Sequence, residues 1–232
     1  QSLGKMHYVW TVPSWPMQVM EERCDKDMRL RMDELIRQKQ LIWHALPYTS
    51  HYDFSSLEDS MWGLQYAREL SHEHGLPLST AGKMTDVPGA GRILPEILAE
   101  AGIRFLHMGC NQFAWPPEVP DLFWWEAPSG RRILTMYNKA GYGTDLCPPE
   151  NWPFPVWMAL MNTQDNCGPQ SAEILEGLLA KVHARYPHAE VVCATLDDFW
   201  HALSQQDLRD LPVVRQDLAD TWIHGVGSYP RE

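Results

Sequence analysis

Apolar runs of strand length alternate along this chain with amphipathic stretches of helical period, and that alternation narrows the fold more than any other feature. His7 to Thr11 is a short aromatic and β-branched run, after which Pro13-Ser14-Trp15-Pro16 opens a helical stretch reaching Lys39. Leu41 to Leu46 is the next apolar strand. Ser55-Ser56-Leu57-Glu58 has the form of a capping box, and Leu57, Met61, Leu64 and Leu70 follow at helical spacing until Gly75. Leu78 to Met84 reads as a strand and Thr85-Asp86-Val87-Pro88-Gly89 as a turn. Ile93, Leu94, Ile97, Leu98 and Ala101 then form the apolar face of a helix that Gly102 ends, and Ile103 to Met108 is a strand again.

The texture then changes. Phe123 to Glu126 and Arg132 to Tyr137 read as paired short strands joined at Pro128-Ser129-Gly130, and Gly141 to Pro155 as an irregular loop, together an inserted hairpin and lid. The alternation resumes with a strand at Val156 to Met161, a loop at Asn162 to Pro169, and a helix bearing Ile174, Leu175, Leu178, Leu179 and Val182. Glu190 to Ala194 reads as a strand and Leu196 to Leu203 as a short helix. Repeated strand, loop and helix units predict an α/β fold with a parallel sheet, open or closed into a barrel. Such folds carry their sites on loops at the carboxyl ends of strands.

Composition removes several function classes. At 232 residues and 44% hydrophobic, the chain suits one large globular domain. Thirty acidic against 19 basic side chains, a formal charge of -11, argue against a face for nucleic acid or anionic membrane. No apolar run approaches the roughly 20 residues of a membrane helix, so the chain reads as soluble. Its five cysteines form no C-x-x-C pair, which speaks against a disulfide framework or a cysteine-only zinc site. Eleven tryptophans stand out, several of them in a Pro-rich stretch. Their flat faces suit sugar C–H surfaces, and equally suit core and loop anchoring.

Two acidic residues fall where an α/β fold carries chemistry: Asp86 and Asp165, each in a turn after a strand. A lone loop Asp is most often a turn former or helix cap. The surrounding residues say more. The run AGKMTDVPGAGRILPEILAEAGIRFL, residues 81–106, resembles the segment of glycoside hydrolase family 38, the zinc-dependent retaining α-mannosidases and relatives, in which a strand ends in Asp, a Pro-Gly-type turn follows, and a helix leads through Gly to another strand. Further segments fall in the family's order: His51-Tyr52, the loop Met161 to Pro169, and Leu211-Pro212-Val213 followed by Asp217-Leu218 and Ile223-His224-Gly225. Trp10-Thr11-Val12-Pro13-Ser14-Trp15 and Asp220-Thr221-Trp222-Ile223-His224-Gly225 are similar to motifs of uncharacterised relatives of that family.

The resemblance implies a (β/α)7-type barrel of the glycoside hydrolase and deacetylase kind, incomplete because its first strand lies outside the chain, with residues 1–232 as one partial catalytic domain. It implies a zinc-dependent retaining glycosidase acting on α-linked sugars. Asp86 is then both nucleophile and zinc ligand, Asp165 the general acid/base, and Tyr52, Trp115, Trp124 and Trp125 the candidate walls for a carbohydrate substrate. In the family a His-x-Asp pair and a distant His complete the zinc site. Nothing before Trp10 supplies that pair, so the resemblance implies a fragment that alone binds zinc poorly. His72-Glu73-His74 is too short for the zinc-protease pattern, and His44, His107 and His224 are left without a role. Val87-Pro88-Gly89 replaces the family's Pro-Phe-Gly-His after the first Asp, and Asn166-Cys167-Gly168-Pro169 its glycine run after the second. Both changes bear on sugar specificity more than on fold. The alternative is a carbohydrate-binding or scaffold domain that kept the barrel and lost the chemistry.

Overall fold

The computed structural model describes residues 8–161, 167, 170–220 and 222. Asp165 and His224 lie outside the described residues. Strand β1 (Trp10–Val12) leads into helices α1 (Ser14–Arg23) and α2 (Lys26–Arg37), then β2 (Leu41–Trp43), a 3-10 turn at Tyr52–Phe54, and α3 (Leu57–Glu73). β3 (Ala81–Asp86), α4 (Ile93–Glu100) and β4 (Phe105–Cys110) follow, then β5 (Leu122–Glu126) and β6 (Arg132–Asn138). α5 (Ala172–Arg185), α6 (Leu196–Ser204) and β7 (Val213–Val214) complete the order. No described helix is long and apolar enough to cross a membrane.

The first helical stretch is two helices rather than one. Asp25 breaks it: its side chain accepts from the Met28 N–H at 2.8 Å and starts a new helix, as a short acceptor that competes with the backbone ladder does. Ser56, with its hydroxyl accepting from the Asp59 N–H at 3.1 Å, caps α3, and Gly75 ends that segment at φ +63°.

Two expected strands do not form. Along Val156 to Met161 the backbone is engaged by the preceding loop instead of by a strand. The Thr144 hydroxyl donates to the Met158 carbonyl and accepts from the Leu160 N–H, while the Trp152 indole donates to the Val156 carbonyl. Glu190 to Ala194 is likewise irregular, with Val192 turned out to solvent.

The sheet is rich in parallel pairs. β3, β4 and β6 run parallel, β5 returns antiparallel to β6, and β7 lies parallel to β5, in the order β3-β4-β6-β5-β7. β1 and β2 form a parallel pair, and the Ala45 N–H donates to the Ala81 carbonyl at 2.9 Å, so the chain leaving β2 runs alongside the start of β3. The hairpin of β5 and β6, turned at Gly130 with φ +91°, is therefore an integral part of the sheet and not an insertion beside it.

Alternation along the strands sends side chains to two cores. Met84, Leu106, Met108, Phe123, Trp125, Ile133 and Tyr137 pack toward Leu94 and Leu98 of α4. Ala81, Phe105, Leu122, Leu134 and Met136 pack toward Leu196, Phe199 and Leu203 of α6. Asp197 fastens α6 to the start of β3, accepting from the Thr80 N–H at 2.6 Å and the Ser79 hydroxyl at 2.8 Å. These contacts bring the carboxyl ends of β3, β4 and β6, at Asp86, Cys110 and Asn138, to one edge.

Candidate active site

Asp86 is the last residue of β3 and sits at φ +85°, in the left-handed region that a non-glycine residue enters at a cost of about 1–2 kcal/mol. Such a conformation persists where its surroundings over-determine it. Here they do. The Asn111 N–H donates to the Asp86 carbonyl at 3.0 Å, and the Thr85 N–H to the Thr49 hydroxyl at 2.9 Å. The following turn is pinned at each step: the Tyr137 phenol donates to the Pro88 carbonyl, the Gly91 N–H to Asp53 Oδ1 at 2.9 Å, and the Arg92 N–H to Asp217 Oδ1 at 2.8 Å.

The two oxygens of the Asp86 carboxylate are not equivalent. Oδ1 accepts from Asn111 Nδ2 and from the Tyr142 hydroxyl, each at 2.8 Å, and Asn111 Nδ2 also lies 2.9 Å from that hydroxyl. Among the described residues no donor reaches Oδ2. Among the described residues the arrangement holds one oxygen and leaves the other open.

One layer further in lies a basic cluster. Lys83, three residues before Asp86 on β3, donates from Nζ to the Tyr142 carbonyl at 2.8 Å and to the Thr85 hydroxyl. Burial pulls its pKa down to about 7. His107, paired with Lys83 across β3 and β4, is wholly buried with neither ring nitrogen partnered. Burial and, second, the nearby Lys83 charge hold its pKa well below the usual histidine range. His44 accepts on Nδ1 from the Leu46 N–H at 3.2 Å, and the same two causes push its pKa down to about 3. Both imidazoles are neutral at pH 7.

His51 and Asp220 form a second pair, with Asp220 buried and its Oδ1 accepting from the Trp222 N–H at 2.9 Å. Tyr52 is buried beside them in sequence, its hydroxyl unpartnered and its pKa raised by burial first and by Tyr48 second.

The expected aromatic walls separate into two groups. Trp115, 83% exposed, stands on the loop that leaves the carboxyl end of β4, the edge that carries Asp86. Trp124 and Trp125 do not line that edge. On β5 they stand opposite Leu134 and Ile133, four and five residues back from Asn138, which at about 3.3 Å per residue sets them well away from it. Trp125 is 0% exposed and donates to the Gln216 carbonyl at 3.1 Å. Trp124 donates to the Leu208 carbonyl at 3.2 Å beneath the Arg132 guanidinium, 4.5 Å from its ring centroid. These two rings are packing anchors.

Asn111, Tyr142 and Lys83 carry no motif in the sequence. Asn111 and Tyr142 each follow the end of a strand, the position that singles out Asp86, but as neutral side chains they carry no acid signal there.

Metal-ligand geometry points elsewhere. Among the described residues, one group of three ligand atoms lies within 4.8 Å of one another: Glu21, Asp33 and His74. Arg29 already binds two of its members, with contacts of 3.5 Å to Glu21 and 3.0 Å to Asp33, and reaches Glu73 at 2.7 Å. This group also sits at the opposite end of the strands, since α3 runs back from β2 to the amino end of β3. At Asp86 the described residues offer a zinc ion one ligand, the open Oδ2, and do not complete a site. A cavity of about 600 Å³ between α3 and α4, lined by Leu57, Met61, Ile93 and Ile97, contains none of these polar groups.

No family model matches the chain, and no curated protein sequence matches it. Its fold does match solved structures. An α-mannosidase from Enterococcus faecalis V583 superposes with a TM-score of 0.65 at 15% identity, over 92% of this chain and 26% of that one. A protein in glycosyl hydrolase family 38 from Enterococcus faecalis gives 0.57 at 13% identity, over 91% and 24%. The likeness is one of α/β fold, and this chain spans about a quarter of the length of those proteins.

Proposed function

We propose that this chain is part of a retaining α-glycoside hydrolase of the α-mannosidase kind, built on a (β/α)7-type barrel, with Asp86 as its nucleophile. The observation that carries the reading is the Asp86 carboxylate itself: fixed at the carboxyl edge of three parallel strands, held through Oδ1 by two donors and, among the described residues, open at Oδ2. The shared fold with glycoside hydrolases supports it.

In this mechanism Asp86 Oδ2 attacks the anomeric carbon as the glycosidic C–O bond breaks, and the leaving oxygen takes a proton from Asp165, the second carboxyl group. Water then loses a proton to Asp165, attacks the same carbon and releases Asp86, so the anomeric configuration is retained. Asn111 and Tyr142 keep the attacking oxygen in line, which is where most of a positioned nucleophile's advantage arises. Trp115 supplies a wall for the sugar. A zinc ion, when bound, would hold adjacent sugar hydroxyls beside the nucleophile, with Asp86 giving one ligand and the others lying beyond the described residues.

The test uses the parent protein, saturated with zinc, on a panel of α-glycosides: turnover of an α-mannoside that collapses in Asp86→Asn is the expected result, and undiminished turnover in that variant sinks the assignment. A second reading, a sugar-binding domain without chemistry, is favoured by one observation: no three-ligand group forms around Asp86 among the described residues. Calorimetry separates the two, because sugar binding that survives both chelation and Asp86→Ala, with no turnover, belongs to the second.

A further inference from the structure

We infer that Lys83 is a positioning residue for the Asp86 carboxylate, acting through the backbone of Tyr142; the catalytic part of this inference rests on the reading of Asp86 as nucleophile. Lys83 does not reach Asp86. Its amine donates to the Tyr142 carbonyl at 2.8 Å and to the Thr85 hydroxyl, both neutral acceptors, and the described charged or titratable groups acting on it or acted on by it are Cys110, His44 and His107. Among the described residues no carboxylate partners it, and the contribution drawn from this half-buried amine is geometric.

What it holds is a loop pressed onto the sheet. A β-carbon on Gly109 would stand 2.3 Å from the Tyr142 carbonyl oxygen, so the Tyr142 backbone lies directly on β4 and fits there because position 109 has no side chain. Gly109 pairs with Thr85, and Lys83 pairs with His107, two residues earlier on the same face. Lys83 and Gly109 thus fix the Tyr142 carbonyl from two adjacent strands. With the backbone fixed, the phenol is delivered to Asp86 Oδ1 together with Asn111 Nδ2. Loss of the amine removes one of the contacts that hold the Tyr142 carbonyl, loosens the phenol on Oδ1, and with it the orientation of Oδ2.

Two measurements test this. Hydrogen exchange on the chain compares wild type with Lys83→Met: faster exchange in residues 139–145, with α4 and β4 unchanged, is expected, and identical exchange across 139–145 overturns the latch. In the parent enzyme Lys83→Met lowers kcat about 10- to 100-fold with KM within about twofold, as small misplacements of reacting groups do. Lys83→Cys alkylated with 2-bromoethylamine, which rebuilds an amine of nearly lysine length, restores kcat relative to identically treated wild type. A loss that the rebuilt amine leaves in place contradicts the positioning role. If Lys83→Met does not fold, Tyr142→Phe carries the test, since losing the phenol alone lowers kcat similarly, and an unchanged kcat overturns the inference. Turnover that persists in Asp86→Asn defeats the functional reading instead, while the exchange measurement still decides the latch.

Discussion

Gly89 meets Leu218 so closely that a β-carbon on Gly89 would stand 2.0 Å from the Leu218 carbonyl oxygen. The contact joins the turn after Asp86 to the segment entering the chain's final described residues, where the Leu218 N–H donates to the Ala90 carbonyl at 3.0 Å. Two backbones pressed together cannot give way as a flexible side chain can. Gly89→Ala is expected to destabilise the chain by about 3 kcal/mol, read as a lower guanidinium midpoint. Gly141→Ala, where nothing lies within 4 Å of the added carbon, should leave the midpoint within error. Equal midpoints for the two variants would contradict the clamp.

The buried histidines set an acid limit on stability. His44, with a folded pKa of about 3, and His107, well below its usual value, bind their protons more weakly folded than unfolded. Their stabilising effect is therefore complete above the unfolded value near pH 6.5 and declines as pH falls from there, for His44 down to about pH 3. The slope is up to about 1.4 kcal/mol per pH unit for each histidine. Lys83, at about 7 folded against 10.5 unfolded, has the same sign in a higher window: stability falls between pH 10.5 and 7 and is flat in this term below that. Urea unfolding from pH 7 to pH 4 should be steeper in wild type than in His107→Gln, and parallel curves would show that His107 is not the titrating group.

Arg29 bridges three helices through Glu21, Asp33 and Glu73, and His74 Nε2 lies 2.6 Å from Glu21 Oε1. Arg29→Met leaves those carboxylates without their cation. The side chain is 30% exposed, so the network stabilises modestly, and a loss of about 1 kcal/mol is expected in thermal or denaturant unfolding. Zinc added to wild type should leave its unfolding midpoint unchanged if the guanidinium fills this group. A zinc-dependent rise that His74→Ala abolishes would show that a metal displaces it.

How much of this was legible in the sequence depends on how local the cause is. α4 follows from the spacing of Leu94, Ile97 and Leu98 closed by Gly102, and β3 and β4 from the apolar runs on either side of it. The break at Asp25 is hidden in the sequence because the apolar period runs through it while the capping hydrogen bond is a local competitor. The strands expected at Val156 and Glu190 failed for the opposite reason: the runs are apolar, but what satisfies the backbone near Val156 is the side chain of Thr144, which no period encodes. In the candidate site, Asp86 was visible as an acid in a Pro-Gly turn, whereas its partners come from the ends of two other strands. Trp124 and Trp125 looked like sugar platforms by composition, and the register of β5 buries one and half-buries the other far from the site edge.

The central claim is that Asp86 Oδ2 forms a bond to the sugar, and a trapped intermediate tests it most directly. The parent protein would be incubated with a fluorinated α-mannosyl fluoride, whose electron-poor ring slows release of the enzyme-bound sugar, then digested and mapped by mass spectrometry. The predicted result is one glycosyl adduct on the peptide containing Asp86, absent in Asp86→Asn. An adduct on any other carboxylate, or turnover with inverted anomeric configuration, would contradict the account.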